Sequence, residues 1–297
     1  MKILLTGPTG FIGSAFIRFA LEKGHHIAGL IIPGEAIPAR APRSDRLRWL
    51  RGTLEAAPWP EIVEFQAEVC VHTAWITTPG VYLESPENEK FRDASLTFLR
   101  KACAAGARHI VGLGTCVEYR MGNEPLCEES TPVEPGTTYA RCKNELRLAL
   151  EAGAREGGYT FSWARVFYPY GPGEHPSRLC SSIIAKLKAG EEVLLRTPGS
   201  TKDYIYIDDL ASALLAVVGK RFAGTINLGT GVGVSVEQVA RQLGGLLGRP
   251  DLIRLAADPA PDPFPFVVAD IGKLKSLGWQ QNVSCEEGLQ RLVAAQA

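Results

Sequence analysis

The sequence predicts an α/β protein, a doubly wound parallel sheet followed by a smaller mixed α/β lobe. Three observations carry that expectation. Short β-type apolar runs alternate with amphipathic segments through the first 170 residues, the pattern of βαβ units whose sheet is covered on both faces. A glycine-rich turn, Gly7-Pro-Thr-Gly10-Phe-Ile-Gly13, joins the first run directly to the first amphipathic segment. After about residue 170 the regular alternation gives way to loops and to a rigid proline-rich connector, Asp258-Pro-Ala-Pro-Asp-Pro-Phe-Pro265.

The elements follow in order. Residues 2–6 are a buried strand. Residues 11–23 read as a helix with Phe11, Ile12, Ala15, Phe16, Phe19 and Ala20 on one stripe, stopped by Gly24. A second strand covers 26–32 and ends at Pro33-Gly34. Two prolines and four arginines make 35–48 a loop, after which 49–52 is a short third strand. Strands are expected at 69–74, 109–115 and 159–165, and helices at 86–105 and 137–156. Beyond 170, a loop at 171–176 precedes a helix at 179–189, short strands at 204–207 and 225–228, and two short terminal helices. The expected division is a dinucleotide-binding domain over 1–170 and a substrate lobe over 171–297, with segments near 203–228 returning to the first domain.

Bulk properties exclude several classes. Lys+Arg and Asp+Glu are equal at 32 each, so no global field draws the chain to nucleic acid or to an anionic membrane. No apolar run approaches the roughly 20 residues of a bilayer span. The seven cysteines are scattered without a C-x-x-C pair, which suggests neither a disulfide framework nor a metal site. The opening residues lack an export signal, and a reducing cytoplasm is the expected location.

The chemistry starts at the opening turn. A strand that stops, turns on glycines and starts a helix points free N–H groups at the positive end of the helix dipole, a seat for a pyrophosphate. Further on, Thr115 ends the fifth strand, and Tyr139 and Lys143 are spaced i, i+4, so their side chains share one helix face. A neighbouring ammonium is expected to lower the phenol pKa from about 10 and make Tyr139 a proton donor or acceptor. Thr115 could hold a carbonyl or alcohol oxygen beside it. A surface Tyr–Lys pair is the plain alternative for such a match taken alone.

Together, Thr6-Gly-Pro-Thr-Gly-Phe-Ile-Gly13, His72-Thr-Ala74, Thr115…Tyr119, Tyr139-x-x-x-Lys143, Arg165-Val-Phe-Tyr-Pro-Tyr-Gly-Pro172 and Lys202-Asp-Tyr-Ile-Tyr-Ile-Asp-Asp209 resemble the extended short-chain dehydrogenase/reductase family, in particular its nucleotide-sugar epimerases, dehydratases and ketoreductases. The resemblance implies a Rossmann-type fold, Tyr139 as acid/base, Lys143 also holding the nicotinamide ribose, and Thr115 as third member. It implies cofactor contacts from Gly7, Thr9, Gly10, Phe11, Ile12 and Gly13, with Leu54, Thr73, Ala74 and Phe167 completing the set. The substrate side would comprise Trp75, Cys116, Tyr168, Arg178 and Lys202. A homodimer through the helices at 86–105 and 137–156 is also implied, with a nucleotide sugar as substrate and no nucleic-acid or membrane partner.

Departures from the family pattern narrow these expectations. The Asp and Glu that follow the Thr in 4,6-dehydratases are Cys116 and Val117 here, which disfavours elimination; Cys116 packs at the strand end rather than reacts. No acidic residue ends the second strand at Ile31-Ile32-Pro33, and Arg40, Arg43 or Arg46 could meet a 2′-phosphate, so NADP(H) is favoured with NAD(H) as the alternative. Tyr168 replaces the Asn of the Arg-x-Phe-Asn turn, and Lys202 replaces an Arg, keeping charge with weaker bidentate geometry. The resulting expectation is a 4-ketoreductase of an NDP-4-keto-6-deoxyhexose; the alternatives are a C4-epimerase that retains NAD and a dinucleotide sensor without turnover.

Overall fold

The computed structural model describes residues 1–39 and 41–296, so Arg40 lies outside the described residues. The chain runs β1 (Lys2–Thr6), α1 (Phe11–Glu22), β2 (His26–Ile31), β3 (Leu47–Arg51), α2 (Trp59–Phe65), β4 (Val69–His72), α3 (Glu87–Ala104) and β5 (His109–Thr115). A 3₁₀ turn, Cys116–Glu118, leaves β5; then come α4 (Thr138–Arg155), β6 (Thr160–Val166), β7 (Tyr168–Tyr170) and α5 (Leu179–Ala189). The remainder is β8 (Val193–Leu195), β9 (Thr201–Tyr206), α6 (Ile207–Gly219), β10 (Gly224–Leu228), β11 (Gly233–Ser235) and α7 (Val236–Leu246). It closes with β12 (Ile253–Leu255), β13 (Phe266–Val267), α8 (Gly272–Ser276) and α9 (Cys285–Ala295).

Seven strands form one sheet in the order β3-β2-β1-β4-β5-β6-β10, every pair parallel. Strand order reverses at β1, which pairs with β2 on one side (Lys2↔His26) and with β4 on the other (Ile3↔Val69). The carboxyl ends of β1, β4, β5 and β6 therefore face a common crevice, where ligands bind in open sheets of this kind. Alternate side chains sort between the two faces. Ile3 and Leu5 pack with Phe16, Ile17, Leu210 and Leu214 of α1 and α6, whereas Leu4 packs with Ile62, Phe98, Leu99, Leu146 and Leu150 of α2, α3 and α4. The smaller lobe pairs β9 with β7, β11 and β13, and β8 with β12. Among the described residues no helix is long and apolar enough to cross a membrane.

Several boundaries differ from the sequence expectation for identifiable reasons. The fourth strand stops at His72 instead of 74: the Thr73 N–H (3.3 Å) and hydroxyl (2.7 Å) share the Thr6 carbonyl, and the Ala74 N–H donates to the Thr6 hydroxyl at 3.3 Å rather than to backbone. The third strand begins at Leu47, two residues into the expected loop, paired with Ile27. Helix α2 escaped notice because Pro58 and Pro60 flank its start and only Ile62 is fully buried. Helices α6 and α7 also lay outside the expected elements; α7 opens on a Ser235–Gln238 capping box.

Two histidines are locked inside the sheet. His72 is sandwiched between the hydroxyls of Thr6 (2.8 Å) and Ser95 (2.9 Å), and burial, assisted by the charge of Lys143, pushes its pKa down to about 3. Burial likewise takes His109 down to about 4. Both are neutral in the fold but bind protons in the unfolded chain below their ordinary pKa near 6.5, so stability falls as pH drops from there toward 3–4. Each contributes about 1.4 kcal/mol per pH unit within its window. Urea midpoints are therefore expected to decline from pH 7 to pH 4, and the decline should be shallower in His72→Asn; an unchanged slope in that variant would contradict the neutral-histidine assignment.

Candidate active site

The opening turn is shaped by what glycine lacks. Gly7 sits at φ +66°, and a Cβ there would lie 2.8 Å from both the Ala74 nitrogen and the Thr73 hydroxyl. At Gly13 a Cβ would come 2.1 Å from the Gly7 carbonyl oxygen, so α1 can begin under the turn only with glycine at that place. Gly10 precedes α1 with no side-chain cap, leaving the first-turn N–H groups to a ligand. They open on a cleft of about 960 Å³. Gly7, Thr9, Gly10, Phe11, Ile12, Gly13, Leu54, Thr73 and Ala74 all line it, as does Trp75. Volume, free N–H groups and the absence of side chains over the turn fit a dinucleotide.

Sequence reasoning missed an acid in this cleft. Glu35 stands just past the turn at Pro33-Gly34; its Oε1 accepts from the Thr9 hydroxyl at 2.6 Å and its Oε2 from the Ile32 N–H at 3.2 Å. A carboxylate therefore does lie beyond β2, displaced down the loop from the strand end where it was sought. Neither Arg43 nor Arg46 lines the cleft. Arg40, the third arginine expected to meet a 2′-phosphate, lies outside the described residues.

A second cleft, of about 500 Å³, adjoins the first, sharing Ile12, Thr73, Trp75 and Arg178. It brings together Thr115, Cys116, Tyr139, Lys143, Tyr168 and Lys202. Phe167, which follows the end of β6, lines this second cleft together with Tyr139 and Lys143. The Thr137 hydroxyl caps α4 by accepting from the Ala140 N–H at 3.2 Å, which sets Tyr139 and Lys143 in its first two turns. Lys143 is 2% exposed; its Nζ donates to the Leu113 carbonyl at 2.9 Å and lies 3.9 Å from the Trp75 ring centroid. Trp75 is fixed in turn by donating to Asn88 Oδ1 at 2.7 Å.

The electrostatics reverse one expectation. Burial pushes the Tyr139 phenol up, neighbouring Tyr82, Glu118 and Cys116 add to the rise, and only contact with the Thr115 side chain opposes it. Burial also brings Lys143 down to about 7, against the opposing charge of Glu118. The lysine was expected to lower the phenol pKa. It does not, because desolvation outweighs an ammonium 5.9 Å from the ring centroid that itself titrates near neutrality. Tyr139 is thus held as a neutral proton donor. Burial takes the Cys116 thiol up to about 12, consistent with packing rather than reaction.

Behind Thr115 lies a second missed residue. Glu118, fully buried, accepts from the Thr115 N–H (2.9 Å), the Trp163 indole N–H (3.0 Å) and Arg165 Nε (2.8 Å). Thr115 caps the 3₁₀ turn in return, a capping box whose Thr-x-x-Glu signature was available in the sequence. On the substrate side Tyr168 sits edge-on to Tyr204, and Arg178 faces the Tyr82 ring at 6.0 Å. Lys202 is only 7% exposed and bonds to Asp262 at 2.9 Å. It was expected as a substrate contact, yet its ammonium is spent on the chain itself.

A sequence profile described as the NAD dependent epimerase/dehydratase family matches residues 3–229. The chain belongs to that family. The NAD-dependent epimerase/dehydratase chain is 26% identical over 317 residues to a UDP-glucose 4-epimerase of Mycolicibacterium smegmatis, covering 99% of itself and 97% of the relative. A structure of the Thermotoga maritima UDP-glucose 4-epimerase with UDP-glucose superposes with a TM-score of 0.86 at 24% identity, covering 100% and 98% of the two chains. The Thermus thermophilus UDP-glucose 4-epimerase in complex with NAD gives a TM-score of 0.85 at 24% identity and 99% and 98% coverage. The Rossmann-like fold expected for this family member is thus shared with solved members.

Gly13→Ala places a methyl group against the Gly7 carbonyl. The expected outcome is NAD affinity weakened by about tenfold or more, from a steric cost on the order of 1–3 kcal/mol, measured by calorimetric titration. Undiminished affinity would mean that the cofactor does not use this turn.

Proposed function

We propose that this chain reduces the 4-keto group of an NDP-4-keto-6-deoxyhexose with a nicotinamide cofactor. One observation carries the reading: Thr115, Tyr139 and Lys143 meet in a cleft continuous with the glycine-lined one. The cofactor, when bound, supplies hydride. The chain's own residues then do three things. The Thr115 hydroxyl holds the substrate oxygen, the neutral Tyr139 phenol gives it a proton, and Lys143 offsets the charge that develops on the phenol oxygen. A phenol kept protonated by burial favours the reductive direction, and a neutral thiol at 116 with valine at 117 offers no acid/base pair for elimination.

A C4-epimerase is the second reading, favoured by the name of the curated relative and of the solved neighbours. It uses the same three residues and differs in retaining its cofactor and rotating the keto sugar. Interconversion of two sugars without consumption of added NAD(P)H would select it. The same overall reading assigns residues to about 170 to cofactor binding, with β10 and α6 joining them, and carries a homodimer through α3 and α4.

For the cofactor we propose NAD(H), because Glu35 can accept from ribose hydroxyls and would repel a 2′-phosphate. Glu35→Ser is expected to shift the NADP-to-NAD affinity ratio by about tenfold toward NADP, the scale of one charged hydrogen bond; an unchanged ratio would remove Glu35 from cofactor selection. Tyr139→Phe is expected to cut reduction by at least about 100-fold, the usual range for a general acid, with cofactor affinity nearly kept. Unchanged turnover in that variant would defeat the assignment.

A further inference from the structure

The substrate side of the second cleft offers three positively polarised groups: Lys202, Arg178 and the N-terminus of α5. Two are already occupied by the chain's own carboxylates. Lys202 Nζ donates to Asp262 Oδ2 (2.9 Å), to Ser200 Oγ (2.5 Å) and to the Phe264 carbonyl, which uses all three of its protons. Glu174, 8% exposed, accepts from the Ser181 N–H at 2.9 Å and thereby fills the first turn of α5. Arg178 faces an aromatic ring instead of an acid.

Asp262 belongs to the proline-rich connector, where residues 259, 261, 263 and 265 are all proline. Its Oδ1 accepts from the Phe264 N–H at 2.8 Å, and the Ser200 hydroxyl donates to its Oδ2. Burial alone would raise this carboxyl, but hydrogen bonds from Ser200, the Phe264 N–H and Lys202 hold it below the ordinary carboxylate value. The connector is pinned on either side of Asp262, by Ala260 N–H to the Arg196 carbonyl and by Thr201 N–H to the Pro265 carbonyl, each 2.8 Å. Pro261, Asp262, Pro263 and Phe264 line the cleft, so the carboxylate is presented to whatever enters.

We propose that Asp262 occupies the phosphate seat of Lys202, so that a nucleoside diphosphate binds only in competition with this carboxylate and Asp262 sets the affinity. The proposal rests on the nucleotide-sugar reading and extends it. A diphosphate brought to this wall meets one open guanidinium and two acids. To engage Lys202 it must displace Asp262, and the gain of the new pair is offset by the loss of the old one.

Titration calorimetry with UDP on four proteins tests this: the unmodified chain, Asp262→Asn, Lys202→Met and the double variant. Asp262→Asn is expected to tighten UDP by about tenfold or more, since it frees a charged donor. Lys202→Met alone should change affinity by less than about threefold, and in the Asp262→Asn background it should abolish the gain. Asp262→Ala repeats the measurement without an amide that could keep hold of Lys202, and an NAD titration on each protein confirms an intact cofactor cleft. Failure of both Asp262 variants to tighten UDP, or equal weakening by Lys202→Met in both backgrounds, overturns the proposal alone. No UDP binding by any of the proteins, with NAD binding kept, overturns the nucleotide-sugar reading together with it.

Discussion

The Glu118 carboxylate is the interaction on which the site depends. It lies under the end of β5 and joins three elements at once: the backbone of Thr115, the indole of Trp163 on β6 and the guanidinium of Arg165 on the same strand. A buried acid is costly unless every lone pair is used, and here Arg165 also lies 4.1 Å from the Tyr119 ring, whose hydroxyl donates to Asn227 on β10 at 2.8 Å. The two β5 glycines follow from the same packing. A Cβ at Gly114 would meet the Trp163 Nε1 at 2.2 Å, and one at Gly112 would meet its ring at 2.6 Å. Thus the strand that delivers Thr115 is thin because a tryptophan lies across it, and that tryptophan is held by the acid that also caps Thr115.

Desolvation governs the titrating groups around this point. It keeps Tyr139 and Cys116 protonated, lowers Lys143 and leaves His72 neutral. Glu118 is the one nearby anion that counters the effect at Lys143. Lys143 Nζ lies 3.9 Å from the Trp75 ring centroid, and a cation–π attraction is strongest for just such a desolvated ammonium. Burial of these side chains and the carboxylate behind them thus set the protonation states together.

Much of this was legible in the sequence, and the divide has a physical basis. Local patterns carried the alternating units, the glycine turn and the i, i+4 pair, because each depends on residues a few positions apart. The structure brings Thr115, Tyr139 and Lys143 to one cleft as those patterns led one to expect. Long-range pairings were not legible. Glu35 binds Thr9 across 26 residues, Asp262 binds Lys202 across 60, and Arg165 meets Glu118 across 47. Glu118 was the exception, since its Thr-x-x-Glu spacing is local and follows directly on the end of the expected strand. The phenol pKa was misjudged for a different reason: spacing along a helix says which groups are neighbours, not how dry they are.

The pairing of α1 with α6 has a consequence for synthesis. Helix α1 packs against residues 207–219 on one side of the sheet, and the sheet edge beyond β6 is completed only by residues 224–228. A nascent chain leaving the ribosome therefore lacks Leu210, Leu214 and their neighbours against Phe16 and Ile17 until some two hundred further residues have emerged. Such delayed closure makes the growing polypeptide a natural client for chaperones, even though every individual unit is local and regular.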